Sequence, residues 1–269
     1  MNINKHLILL FSVLFFLFAV SVSSGCFRKN ESDVKSVVRN ELDQLKNLDS
    51  ETTQKYIPYT ELFPDATENT DLTDEINETF SLFFRKFNYK ISDVIVGTAN
   101  HSATVSVKLT TIDSKVLARD FKAELLRTQI TESAQAQKGN IKDSSRSLEA
   151  HYLILNHLLN TNDYDTAETD CNMQLVNTGN DKKEKWKIQR TNSLEDDLVG
   201  GLIADLADPD ILSPEDTLTV YLDTLEKLDL QEMSSYLGVG NIMNTSDSSR
   251  NSIAAALAEQ IHKSFKYLI

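Results

Sequence analysis

The sequence predicts an α+β protein, helices packed on an antiparallel sheet, carried behind an export signal. Three observations predict it. Apolar residues recur at intervals of three and four soon after residue 30; they recur at intervals of two over residues 103–109 and 167–175; and residues 7–22 form a nearly unbroken apolar run.

The apolar run comes first. Asn4-Lys5-His6 supplies a short positive head, and only Ser12 and Ser21 interrupt Leu7 to Val22. Its length falls between an ordinary signal core and a span of roughly 20 residues, so the residues just after it must decide. They are Ser23-Ser24-Gly25-Cys26, which resemble the bacterial lipobox. Ser23 departs from the family, which usually has leucine or another aliphatic residue there. The resemblance implies a signal peptide over 1–25, diacylglycerol on Cys26, a lipidated tether over 26–30, and a chain held on the outer face of a bacterial cell membrane. An uncleaved anchor and ordinary secretion are the alternatives, and all three export the rest of the chain.

Removal of residues 1–25 takes one lysine and no acid from a net charge of −13, leaving −14. An acidic surface without a run of lysine or arginine repels phosphate backbones, so nucleic acid is not an expected partner. The two cysteines are Cys26 and Cys171. With lipid on Cys26, Cys171 has no disulfide partner, and an apolar core must stabilise the mature chain.

Val34, Val37, Val38, Leu42, Leu45 and Leu48 form the stripe of a helix over 32–49. A second aromatic-rich stripe, Leu72, Ile76, Phe80, Phe83, Phe84 and Phe87, predicts a helix over about 71–87. Residues 89–96 and 103–110 read as a hairpin with one covered face, turned by 97–101. Helices are expected over 114–135 and 141–159, broken at Lys138-Gly139-Asn140. Strands resume over 167–175 and 185–189, and a helix over 194–206 is weakened by Gly200-Gly201. Asp208-Pro209-Asp210 breaks the chain. Ser213-Pro214-Glu215-Asp216 then opens a helix with serine as cap and acids at its positive end, its stripe being Leu218, Leu222, Leu225 and Leu228.

An internal repeat links the two ends. At a shift of 180, Leu42, Asp43, Leu45, Leu48, Asp49 and Tyr56 fall on Leu222, Asp223, Leu225, Leu228, Asp229 and Tyr236. At a shift of 178, Phe87 to Ile91 falls on Phe265 to Ile269. The domains expected are 31–208 and a partial helical copy over 209–269.

The order of three markers resembles the nuclear transport factor 2-like fold of small lipoproteins: the Leu42 to Asp49 helix end, the Ala103-Thr104-Val105-Ser106-Val107 strand and Lys185-Trp186-Lys187-Ile188. The resemblance covers about 31–206, with the helical insert as a departure. It implies a cone-shaped sheet whose hollow holds a ligand, an active site or packed side chains.

No catalytic, cofactor or metal constellation is expected. Asp93 interrupts an apolar strand and reads as a bulge or edge rather than a catalytic acid. His151 and His157, six apart, fall on different helix faces. Cys171 lies on a covered strand face, where a thiol is inert. Asp205, Asp208 and Asp210 lack the glycine and glutamate of a calcium loop. The glycosylation-like triplets at Asn30, Asn77, Asn100 and Asn244 lose their meaning in a bacterial lipoprotein. The expectation is a non-catalytic binding module anchored to the membrane through Cys26. The alternatives are a small-pocket enzyme of the ketosteroid isomerase type and an envelope protein self-associating through its C-terminal helices.

Overall fold

The computed structural model describes residues 30–57, 62–64, 66, 72–97, 101–135, 144–179, 185–229, 232–233, 236 and 256. In chain order these hold α1 (30–46), α2 (Ser50–Tyr56), α3 (Thr73–Phe84), β1 (Asn88–Val96), β2 (Ser102–Ile112), α4 (Ser114–Gln135), α5 (Leu148–Thr161), β3 (Thr166–Asn177), β4 (Trp186–Ile188), α6 (Asn192–Leu198), α7 (Leu202–Ala207) and α8 (Pro214–Lys227). The fold is α+β: helices and one open four-stranded antiparallel sheet, ordered β1-β2-β3-β4. The chain divides into two compact units.

The first unit comprises the described residues up to Tyr56 with Phe87–Thr110 and Glu168–Leu198. Its sheet obeys the two-residue period of the sequence. Ala103, Val105, Val107 and Leu109 of β2, Cys171, Met173 and Leu175 of β3, and Trp186 and Ile188 of β4 are buried. On the other face the alternate residues link β2 to β3: Thr104 Oγ1 donates to Gln174 Oε1 (2.9 Å), Ser106 Oγ to Asn172 Oδ1 (2.9 Å) and Lys108 Nζ to Glu168 Oε2 (3.1 Å). The β1/β2 register shifts between Ile91 and Asp93, so the interrupting acid sits at a bulge as the sequence predicts.

Helix α1 buries Val34, Val38, Leu42 and Leu45. Leu48, expected in the same stripe, is 38% exposed and takes φ of 61° beyond the helix end. The cause lies one residue on. The Asp49 carboxylate caps α2, accepting from Thr52 N (2.9 Å) and Thr52 Oγ1 (2.6 Å), and this new helix start turns the chain out of α1. A leucine in the left-handed region costs about 1–2 kcal/mol.

The second unit comprises Ile57–Lys86, Thr111–Ala167 and the described residues from Val199 onward. In it α3 packs on α5, and α4 packs on α5, α7 and α8. Its core is aromatic: Phe63 stacks on Phe121 (centroids 5.1 Å) and meets Tyr152 edge-on (5.4 Å), and Phe80 packs by Phe84 (6.4 Å). α5 begins at Leu148, later than the expected 141, because Ser147 caps it by accepting from Ala150 N (3.1 Å) after a 3-10 turn at Ser144–Arg146.

The expected 194–206 helix is divided into α6 and α7. Gly200 and Gly201 take φ of 67° and 91°, and a Cβ on Gly200 would lie 2.2 Å from Thr111 Oγ1. Ser213 caps α8 as predicted, accepting from Asp216 N (3.0 Å). The buried side of α8 differs from the predicted leucine stripe. Val220, Thr224, Leu225 and the following Leu228 are buried, while Leu218 is 49% exposed. Leu225, Leu228 and Met233 close with Ile130 and Ala134 of α4 into one cluster, and that partner selects the face. The repeat positions 265–269 lie outside the described residues.

Candidate functional site: a basic groove beside α1

In the first unit α1 and β1 border an open groove of about 350 Å³. Its α1 wall is Lys35, Arg39, Asp43 and Lys46, whose spacings of four, four and three place them in one stripe along the margin of the buried face. Asn88, Tyr89 and Ile91 of β1 form the other wall.

Hydrogen bonds join the walls. Tyr89 donates its hydroxyl to Asp43 Oδ1 at 2.6 Å, and Lys46 Nζ donates to Asn88 Oδ1 at 3.0 Å. Burial, then the hydrogen bond and charge of Asp43, push the Tyr89 phenol up to about 12, against the opposing charge of Arg39. Among the described residues no carboxylate lies within ion-pair distance of Lys35, Arg39 or Lys46. Glu41, on the same helix, is engaged by Lys55 at 2.9 Å. The groove therefore gathers three cations and one carboxylate in a chain whose net charge is −13. Such a set can hold an anionic oxygen through charge-assisted hydrogen bonds.

Sequence reasoning missed this groove. The lysines and arginine were visible, but Asp33, Glu41 and Asp43 are interleaved with them, and Asn88 and Tyr89 are more than forty positions away in sequence. The one usable signal was the recurrence of bases at 35, 39 and 46 on a single helical margin.

The residues singled out from sequence lie apart from it. His151 is half-buried in the second unit with its ring 4.8 Å from Phe63 and 5.6 Å from Phe121; burial first, then the charge of Lys122, lowers its pKa. His157 is exposed. Burial, followed by the neighbouring Asp197 carboxylate, pushes the Cys171 thiol up to about 12, the condition of an unreactive thiol. Asp205 Oδ2 accepts from Ser114 Oγ at 2.7 Å, and Asp208 Oδ1 from Asp210 N at 2.9 Å. Among the described residues no His, Cys, Asp or Glu group could hold a metal ion, and no helix is long and apolar enough to cross a membrane. Cys26 and the apolar run lie outside the described residues.

The fold and groove define an α+β protein with an open sheet and a cationic surface cleft. No protein-family model, curated protein or solved structure matches the chain.

Proposed function

We propose that the chain is an exported bacterial lipoprotein, held on the outer face of the membrane by lipid on Cys26, whose α+β fold is of the nuclear transport factor 2-like kind and serves as a non-catalytic binding module. The observation that carries the reading is the apolar run closing on Ser23-Ser24-Gly25-Cys26. The groove supports the binding part of the reading, because it offers lysine, arginine and an amide for recognition of an anion beside a phenol that donates to Asp43.

Metabolic labelling with a clickable fatty acid tests the tether. The wild-type chain should take up label and Cys26→Ala should not; equal labelling of the two would sink the lipid reading.

A further inference from the structure

We infer that the groove between α1 and β1 seats the phosphate of an anionic phospholipid headgroup in the membrane to which the chain is tethered. The inference rests on the tethered-module reading and names the partner of its groove.

Charge gives the first reason. A chain this acidic is repelled by an anionic bilayer, so any face that approaches it must carry a local excess of cations. Lys35, Arg39 and Lys46 supply one, and Asp43 is drawn against the Tyr89 hydroxyl.

The internal repeat gives the second. At the shift of 180 that aligns α1 with α8, Lys35, Arg39 and Lys46 fall on Glu215, Thr219 and Glu226, while Asp43 falls on Asp223. The basic margin is therefore particular to α1 and is not a requirement of the shared leucine pattern, and among the described residues no carboxylate pairs with it.

Reach gives the third. From Cys26 to Asn30 the chain spans at most about 14 Å, and Lys35 lies about 7 Å further along the helix. Lys35 is thus within roughly 20 Å of the anchoring sulfur, and the densest phosphate there is the headgroup layer. Glu31 and Asp33 are exposed in the first turn of α1 and weaken any diffuse attraction. Binding accordingly depends on seating a phosphate in the groove, whose α1 wall the lysines and arginine line.

The test uses the full chain, reconstituted through its own anchor into nanodiscs of phosphatidylcholine alone or with about one-third phosphatidylglycerol. Amine acylation is read by mass spectrometry at Lys35 and Lys46, with exposed Lys227 as reference. Labelling of Lys35 and Lys46 should fall about five-fold in the anionic discs, return in about 0.5 M salt, and leave Lys227 unchanged. Arg39→Gln should restore labelling of both lysines; protection that survives this change would overturn the inference by showing attraction independent of the groove. Equal labelling in the two disc types would also overturn it. So would protection by glycerol phosphate over phosphatidylcholine discs that matches the anionic discs, since the ligand would then be a free phosphate. Intact mass separates this inference from the tether: protection in a chain lacking lipid on Cys26 fails only the lipid reading, and loss of protection in a lipidated chain fails only the headgroup.

Discussion

Helices α1 and α8 share one sequence pattern and use it differently. α1 buries Val34, Val38, Leu42 and Leu45; α8 buries Val220, Thr224 and Leu225, with Leu228 just beyond it. At repeat-matched positions only Leu45 and Leu225 are buried in common within the helices. Relative to the repeat, the buried face has turned by roughly a quarter of the helix circumference. The exposed margins differ as well, basic in one and acidic in the other. A heptad-like spacing of leucines thus fixes that a helix is amphipathic. Which side is covered, and what the open side does, depends on the neighbours.

The largest effects should separate the shared position from the divergent one. Leu45→Ala and Leu225→Ala should each cost about 2–5 kcal/mol in denaturant unfolding, because both side chains are buried. The matched pair Leu48 and Leu228 should respond with opposite signs. Leu228→Ala removes a cluster side chain and destabilises, whereas Leu48→Gly relieves a left-handed leucine and stabilises by about 1 kcal/mol. If Leu48→Gly destabilises as Leu228→Ala does, the two faces are not distinct.

A smaller, functional effect comes from exchanging the margins. Giving α1 the residues of α8, through Lys35→Glu, Arg39→Thr and Lys46→Glu, should leave the melting temperature within a few degrees, as exposed substitutions do. It should abolish retention on anionic vesicles. Unchanged retention would contradict the role given to the groove.

The smallest effect is a titration. The folded Tyr89 pKa lies above its unfolded value near 10, at about 12, so the stabilising protonated phenol is fully present below pH 10 and is lost as pH rises through 12. Ultraviolet difference titration should show this phenol ionising late, and Asp43→Asn should move it down toward 10. A phenol titration unchanged by that substitution would break the coupling between the two side chains. Cys171 should stay unreactive to a thiol reagent at about pH 8 in the folded chain and react on unfolding, since burial and Asp197 raise its pKa to about 12.

Local chemistry was legible in the sequence. The alternation from Ala103 to Leu109 gave the covered face of β2, Ser213-Pro214 gave the start of α8, and Asp93 marked a bulge, while Gly200-Gly201, read as weakening one helix over 194–206, divides it into α6 and α7. What escaped was non-local. Leu218 is exposed because α4 covers the Leu225 side of α8. The Asp49 cap moved Leu48 out of its stripe by competing for the same few residues. The groove exists because Tyr89 and Asn88 reach Asp43 and Lys46 across the fold, a pairing no periodicity encodes.

The tether at Cys26 is the central proposal, because it brings α1 close to a membrane surface. Intact-mass measurement of the chain extracted from bacterial membranes tests it most directly. The expected species begins at Cys26, lacks residues 1–25 and is heavier by a thioether-linked diacylglyceryl group. A mass matching the chain from Met1, or one beginning elsewhere without lipid, would contradict it.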